Sequence, residues 1–299
     1  MNNKAIFFFT IFILFFSHSV YSQASDSTLT EKHSLDSLLL RLPAMDLGIR
    51  IPQPANPDLK VTRSWTNNAF ETGEHLVFDV AYGPARAGTA TMSIKDTMTL
   101  NGRLCYKIET TATSSSFIDT FFKVRDTVRT FIDAEGGFPW FFEKHIREGR
   151  YRDNRRVVFD QTNNIATQFR RNRADTLAVP PFVQDVLSSF YYVRTRELEA
   201  GRHFDIMNYG DGRLYPLRVL VHRRETVRVP AGTFECLVIE PVLQGEGLFK
   251  HEGRLQIWVT DDEYKIPVLM RSRVAVIGSI DCRLRSYSLP QLERKNNKQ

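Results

Sequence analysis

The chain has 299 residues, of which 42% are hydrophobic and 25% charged, and its formal net charge is +6. These values are ordinary for a globular protein. The basic residues are spread along the chain, with denser groups at 147–156 and 170–173. A nucleic-acid role would require a basic patch on a recognised module. We find no such module, so we expect no nucleic-acid partner.

The N-terminus has the pattern of a secretory signal peptide. Lys4 precedes an apolar run, Ala5–Phe16, and the small residues that follow end at Ser22. This order predicts a signal peptide over residues 1–22 and a periplasmic location. The run is shorter than the roughly 20 residues that span a bilayer, and no later run is long enough, so we expect no transmembrane span in the mature chain. No cysteine lies near the predicted cleavage site, which argues against a lipoprotein.

Residues 23–69 are predicted to be a lead-in to the folded domain. Apolar residues recur at helical spacing over Ser34–Leu42, and Pro43 ends that pattern. Pro52, Pro54 and Pro57 then indicate an extended linker, because proline cannot donate to a sheet.

From about Phe70 the apolar residues recur with period two, as they do along β-strands. The dipeptide Asn101-Gly102 is a hairpin signal because both residues tolerate positive φ. Strands are predicted at 76–82, 89–94, 104–108, 123–133, 138–148, 155–161, 165–169, 203–208, 214–229, 234–243, 253–260, 266–276 and 279–288. Their spacing favours an antiparallel sheet.

One helix is predicted within this β pattern, over residues 181–198. Apolar residues from Phe182 to Phe190 follow helical spacing, Pro181 suits a first helical turn, and Gly201 suits the stop. The helix joins two halves, about 70–175 and 201–290, of a single β-rich domain over residues 70–290. The charged tail, 291–299, is predicted to be disordered.

A weak internal repeat supports this two-part organisation. Gly102–Glu109 and Gly232–Glu240 both place a cysteine, three residues and a glutamate after a glycine turn. We therefore predict a mainly β fold: a large curved antiparallel sheet, open barrel or sandwich, built of two meanders with one packed α-helix. Chance similarity between hairpins is the alternative explanation of the repeat.

The motifs of the common catalytic classes are absent. The sequence has no His-Glu-x-x-His, Cys-x-x-Cys, Gly-x-Ser-x-Gly or phosphate-binding loop pattern. We therefore predict no catalytic residues, no metal site and no cofactor, and the balance favours a protein that is not an enzyme.

Four residues are candidates for ligand binding. Arg194 lies on the apolar stripe of the helix, where an arginine needs a sheet carboxylate or a ligand anion as its partner. Asp185 and Tyr191 lie at the edges of the same helix. Arg86 stands between small residues in Gly83–Gly88, which is either a tight turn or a place where a ligand comes close.

Three cysteines, Cys105, Cys236 and Cys282, belong to the mature chain. An exported protein can form disulfides, so Cys105 could pair with Cys236 or Cys282. Because the number is odd, at least one thiol is unpaired. The alternative is that all three are small buried apolar residues.

Several segments resemble the DUF3108 family of exported bacterial proteins. Gly73–Gly83 (GEHLVFDVAYG) and Ala87–Met92 (AGTATM) resemble its opening, Asp185–Arg194 (DVLSSFYYVR) its central helix, and Val229–Cys236 (VPAGTFEC) a later strand-turn-strand motif. The resemblance covers roughly residues 70–288. It implies a β-rich periplasmic domain and no particular activity, because the family is one of unknown function.

Three functions stay open on the sequence. The first is a non-catalytic binding or carrier module for an apolar or amphipathic ligand, such as a lipid, or for an envelope glycan. The second is a hydrolase acting on envelope polysaccharide or peptide, which requires convergent acidic or histidine side chains with perturbed pKa values. The third is a structural partner of an envelope assembly, which requires an exposed apolar patch or an uncovered edge strand. The sequence does not predict the oligomeric state.

Overall fold

The computed structural model describes residues 63–171, 173–243, 254–274 and 278–296. The predicted signal peptide, the helical pattern at 34–42 and the proline linker lie outside these residues.

The described chain forms fourteen strands and three helices. The strands are β1 (His75–Tyr82), β2 (Ala85–Leu100), β3 (Arg103–Ser114), β4 (Arg125–Asp133), β5 (Pro139–Glu148), β6 (Tyr151–Asp160), β7 (Ile165–Arg170), β8 (Arg173–Ala178), β9 (His203–Gly210), β10 (Arg213–Val229), β11 (Gly232–Leu243), β12 (Arg254–Thr260), β13 (Pro267–Val274) and β14 (Gly278–Ser288). The helices are α1 (Ser116–Asp119), α2 (Val186–Arg194) and α3 (Pro290–Asn296).

All fourteen strands form one antiparallel sheet in the order β8-β7-β6-β5-β4-β3-β2-β1-β14-β13-β12-β11-β10-β9. The chain therefore builds two meanders, β1–β8 and β9–β14, and the last strand returns to pair with the first. Helix α2 connects the two edge strands, β8 and β9. This arrangement confirms the prediction of a large antiparallel sheet of two meanders with a packed helix.

The sheet is strongly curled. Asp211, in the β9–β10 turn, contacts Lys144 on β5 and Arg155 on β6, although these strands belong to opposite ends of the sheet order. Only a curled sheet brings them together. The two edge strands are not paired with each other in the described part of the chain, so the sheet stays open.

Helix α2 packs against β4 and β9 and closes part of the core. Val186, Leu187 and Phe190 are buried on it, as the helical spacing predicts, and Val193 is buried as well. The helix is shorter than predicted because Phe182 adopts a φ of 59°, which is incompatible with a helix starting at Pro181. It begins instead after Asp185, whose side chain accepts from the backbone N–H of the first turn, and it ends well before Gly201.

The hairpins that follow the two repeated segments share a shift in register. In β4–β5 the ladder shifts between Phe131 and Ile132, after which Ile132 faces Pro139. In β12–β13 it shifts between Trp258 and Val259, after which Val259 faces Pro267. Each hairpin follows a cysteine strand, and each cysteine thiol lies 3.6 Å from the carbonyl oxygen two residues earlier.

Two short elements have no counterpart among the predicted ones. Strand β8 is mostly exposed and carries no alternating apolar pattern, so no periodic signal indicates it. Helix α1 is a single turn of four residues, with a cap from the Ser115 side chain.

The prediction of a disordered tail is wrong for residues 291–296, which belong to helix α3. Pro290 occupies the first helical position, where its missing N–H is not needed. Gln291 donates to the Ala69 carbonyl, and Arg294 pairs with Glu71 at 2.5 Å. These contacts with the segment before β1 order a stretch that looks unstructured by composition. Residues 297–299 lie outside the described chain.

Within the described residues, no helix has the length and apolarity needed to cross a bilayer.

Candidate functional site

Arg194 is held by a protein carboxylate. Its two terminal nitrogens lie 2.7 and 2.6 Å from the two oxygens of Glu74, the residue before β1, and both side chains are fully buried. Its remaining donors reach the Tyr264 and Ala69 carbonyls. The sequence suggested either a sheet carboxylate or a ligand anion as the partner of Arg194, and in the structure the partner is a protein carboxylate. The ion pair joins helix α2 to the start of the sheet.

Tyr191 belongs to the same buried group. Its ring stacks edge-on with Phe70 at 4.9 Å, and the guanidinium of Arg194 lies 5.0 Å from the ring centre. Burial raises the pKa of the phenol strongly, with the nearby Glu74 charge acting in the same direction. The ligand role predicted for Tyr191 and Arg194 stays a prediction, but both side chains already have protein neighbours.

Asp185 is the N-cap of α2. One carboxylate oxygen accepts from the backbone N–H groups of Leu187 and Ser188, and the other accepts from the Thr130 hydroxyl of β4 at 2.5 Å. The side chain is buried, and burial raises its pKa to about 6. Asp185 therefore fixes both the start and the docking of the helix, and any ligand role remains a prediction.

Arg86 lies apart from this group, exposed at the start of β2 directly after the β1–β2 turn. Its guanidinium contacts Asp79 at 3.1 Å and the Thr89 hydroxyl at 3.3 Å. The four candidate residues are thus not brought together: Tyr191 and Arg194 belong to α2 and Asp185 caps it, whereas Arg86 stands at one end of the sheet.

The three cysteines are free buried thiols, so the structure has no disulfide among Cys105, Cys236 and Cys282. Burial raises the pKa of all three, that of Cys236 to about 12. This outcome matches the alternative in which they act as small apolar core residues.

A cluster of buried charges joins the two ends of the curled sheet. Lys144 contacts Asp211 at 3.2 Å and Asp153 at 3.5 Å, while Arg155 contacts both carboxylates. Arg170 adds a further contact with Asp153 at 3.2 Å. Burial lowers the pKa of Lys144, although both carboxylates oppose that effect. Over the residues that the structure describes, the edge strands β8 and β9 are not hydrogen-bonded to each other, and these ion pairs instead connect the β9–β10 turn to β5 and β6.

Sequence reasoning misses Asp211, because its pattern indicates only a hairpin turn. The sequence feature that could have indicated such a partner is the dense basic group at 147–156. Its members Arg152, Arg155 and Arg156 lie along β6. Strand alternation places Arg155 on the buried face, where it requires an acidic partner from elsewhere.

Another buried carboxyl group lies near the start of β4. Asp126 hydrogen-bonds with Glu148 and accepts from the backbone N–H of Arg147 at 2.6 Å. Burial raises the pKa of Asp126. Both side chains are buried. In the described residues, no three His, Cys, Asp or Glu side chains meet in a group suited to a metal ion.

A cleft of about 570 Å³ lies between the β10–β11 hairpin and strands β13 and β14. Three arginines and three apolar residues line it: Arg228, Val229, Pro230, Leu269, Arg271 and Arg283. Asp281 lies beside it and binds Arg271 through both oxygens at 2.7 Å and Arg283 at 3.0 Å. These hydrogen bonds outweigh burial and lower the pKa of Asp281.

The lining combines positive charge with apolar surface. Arg228 has no carboxylate partner among the described residues, and the one carboxylate at Arg271 and Arg283 is shared. Glu225, on the same hairpin, acts on Arg271 at longer range but pairs with Arg223. The surplus charge of the cleft is therefore positive.

Trp258 adds a polar group to this face. It lies opposite Leu269 in the β12–β13 register, and Arg271 stacks over its ring at 5.6 Å. Its indole nitrogen is buried and has no hydrogen-bond partner in the described part of the chain. Buried indole N–H groups usually find a partner, so this buried donor beside Arg271 is an exception.

The fold and these features define a curled antiparallel β protein with one packed helix and an arginine-lined cleft. The family model of DUF3108, described as a protein of unknown function, matches residues 77–285, and the chain belongs to this family. This confirms the family suggested by the sequence segments. A comparison with curated proteins gives no match.

The solved structures that match the chain have little sequence in common with it. A β-barrel-like protein of the domain of unknown function DUF1849, from Brucella abortus, has a TM-score of 0.51 at 10% identity and covers 74% of this chain and 99% of its own. A candidate lipoprotein from Parabacteroides distasonis has a TM-score of 0.34 at 8% identity, covering 76% and 99%. A candidate exported protein with a YmcC-like fold, from Bacteroides fragilis, has a TM-score of 0.30 at 11% identity, again covering 76% and 99%. The first of these supports the fold alone.

Proposed function

We propose that this protein is an exported, non-catalytic binding module for an amphipathic anion, which it holds in the cleft between the β10–β11 hairpin and strands β13–β14. The observation that carries the proposal is the cleft itself, with three arginines and three apolar residues around about 570 Å³. The predicted signal peptide is what supports export to the periplasm.

The chemistry of the lining favours a molecule with an anionic head and an apolar part. Arginine forms bidentate contacts with carboxylate and phosphate groups, and Arg228 is available for such a contact. Val229, Pro230 and Leu269 would shield an alkyl portion from water, and the volume is in the range of small-molecule sites. An acidic glycan fragment would use the arginines but not the apolar residues.

Binding tests with matched probes separate these chemistries. Dodecyl phosphate carries both features, dodecyl maltoside only the alkyl chain, and glucose 6-phosphate only the anion. We expect saturable binding of dodecyl phosphate, detected by calorimetry and by a change in tryptophan fluorescence from Trp258. The other two probes should bind at least tenfold more weakly.

Variants locate the binding in the cleft. Arg228→Gln should weaken binding of dodecyl phosphate by at least about tenfold, since loss of one charged contact is worth roughly 1.5–3 kcal/mol. Arg156→Gln, on the exposed face of β6, is the matched control and should leave binding unchanged. Equal effects of the two variants would overturn the site, and equal binding of glucose 6-phosphate would favour the glycan.

Native mass spectrometry of the protein purified gently from its own envelope tests the natural ligand. An adduct with the mass of a lipid or acidic amphipath supports the carrier role, and its loss in Arg228→Gln ties it to the cleft.

A further inference from the structure

Two phenylalanines stand almost fully in solvent at one end of the sheet. Phe117 is 71% exposed and Phe121 is 75% exposed. Their rings contact each other edge-on, with centroids 5.6 Å apart. Both belong to the β3–β4 connection that contains helix α1. Single exposed apolar residues are common, but a stacked aromatic pair forms a small continuous apolar surface.

The connection that carries these rings is well anchored. Arg125 holds Asp119 with two nitrogens at 3.0 and 2.5 Å, and the Ser114 hydroxyl also binds that carboxylate. On the far side, the Phe122 ring lies against Gly149, where an added Cβ would come within 2.7 Å of it. The two exposed rings are therefore presented on a fixed turn.

Exposed basic side chains belong to the segments that adjoin this connection. The start of the connection bonds to β2 through Ser115 N–H and the Ala87 carbonyl, which brings the β1–β2 turn and Arg86 alongside. Its far end bonds to the β5–β6 turn through Gly149 N–H and the Lys123 carbonyl. That turn carries Arg150, and Arg152 follows it as the second residue of β6.

The charge of this end is unbalanced. Among the described residues, no carboxylate forms an ion pair with Lys123, Arg150 or Arg152. Asp119 is paired with Arg125, and Asp79 is paired with Arg86 and Arg285. Two other acids at this end, Asp126 and Glu148, are buried and hydrogen-bond to each other, and Arg152 acts on Asp126 only at longer range. Antiparallel connectivity also brings the β7–β8 turn, with Arg171 and Arg173, to this end of the sheet.

We infer that this end of the sheet docks onto the surface of a bilayer that contains anionic lipid. Phe117 and Phe121 enter the boundary between headgroups and acyl chains, and Arg86, Lys123, Arg150 and Arg152 contact the phosphates. Aromatic side chains together with arginine and lysine are the combination that binds membrane interfaces, and the basic groups are attracted by the negative surface potential. This inference is independent of the cleft ligand, because the two surfaces share no residue.

Co-sedimentation with vesicles tests the inference on the protein purified after export. We expect binding to phosphatidylcholine vesicles that contain phosphatidylglycerol, and at least tenfold weaker binding to vesicles of phosphatidylcholine alone. High salt should release the protein, since the Debye length falls to about 3 Å at 1 M. Equal binding to the two kinds of vesicle would overturn the role of the basic residues.

Variants on the surface locate the contact. Phe117→Ser with Phe121→Ser, and separately Lys123→Glu with Arg152→Glu, should each reduce binding at least tenfold. Leu104→Ser is the matched control, because Leu104 is 51% exposed but follows the β2–β3 turn at the opposite end of the sheet. Circular dichroism checks that all variants fold. Binding that survives the double phenylalanine change, or that falls equally in Leu104→Ser, overturns the inference, as does a wild-type protein that fails to bind the anionic vesicles.

Discussion

Glu74 and Arg194 form a fully buried ion pair across a separation of 120 residues in the chain, with nitrogen–oxygen distances of 2.6 and 2.7 Å. Glu74 precedes the first strand, and Arg194 ends the helix that joins the two meanders. The pair therefore fixes the connecting helix to the place where the last strand returns to the first.

Breaking this pair should be costly. Arg194→Met leaves Glu74 charged and buried without its partner, so we expect a loss of about 3–5 kcal/mol in the free energy of unfolding. Adding Glu74→Leu should recover much of that loss, because an apolar pair replaces the ionic one. Urea unfolding measures both. The control is Arg218→Met, which removes an exposed pair with Asp205 and should cost about 0–1 kcal/mol; a similar loss in both single variants would contradict the prediction.

The raised pKa of Asp185 should make stability depend on pH. Its pKa is about 6 in the folded protein, against an ordinary value of 3.8 for an aspartate. The folded state thus binds the proton more tightly, so the stabilisation is complete below about pH 4 and is lost as the pH rises through 6. Asp185→Asn keeps a capping side chain and should remove this dependence, a change on the order of 3 kcal/mol across the window.

The measurement is the difference between the unfolding free energies of wild type and Asp185→Asn from pH 4 to 7. Taking this difference cancels the contributions of other titrating groups to the pH dependence, including that of Asp126, whose pKa is also raised by burial. Curves that stay parallel over this range would show that Asp185 titrates normally.

Asp211 should contribute to the stability of the fold although it lies in a turn. Asp211→Asn removes the charge that faces Lys144 and Arg155, and we expect a loss of about 1.5–3 kcal/mol in unfolding free energy. The loss should persist at high salt because Lys144 and Arg155 are buried. Asp175→Asn, on exposed strand β8, is the control; an equal effect at both sites would mean that the ion-pair cluster does not hold the curled sheet.

The thiols should be unreactive in the folded protein. All three cysteines are buried, and burial raises their pKa values, so the reactive thiolate is scarce at neutral pH. We expect none to react with Ellman's reagent before unfolding and all three to react in urea without reductant. Fewer than three in urea would reveal a disulfide.

The helix illustrates how far the sequence pattern is informative. Its existence, its apolar stripe and the need of Arg194 for a partner follow from residue spacing. Its first residue does not, because the backbone of Phe182 and the bond from Thr130 to Asp185 decide where the helix starts. The sequence pattern does not predict Glu74 as the partner of Arg194 either, since nothing local links residues 74 and 194.

The candidate sites divide in the same way. Arg86 stands out by its small neighbours, and it lies exposed at the start of β2, directly after the β1–β2 turn. The arginine cleft is not predictable from the sequence, because Arg228, Arg271 and Arg283 belong to three strands and each looks like an ordinary solvent-facing residue. The same holds for Asp211, whose partners come from the opposite end of the sheet.

By itself, the sequence determined the class of the fold, since period-two patterns and turn dipeptides are local properties of the chain, and the motifs that identify the family are contiguous. Only the tertiary structure decided which charges meet. The curl of the sheet and the return of β14 to β1 bring distant residues within hydrogen-bonding distance, and burial then makes their pairing obligatory. The partner of Arg194, the role of Asp211, the cleft and the aromatic end surface all arise from that long-range geometry.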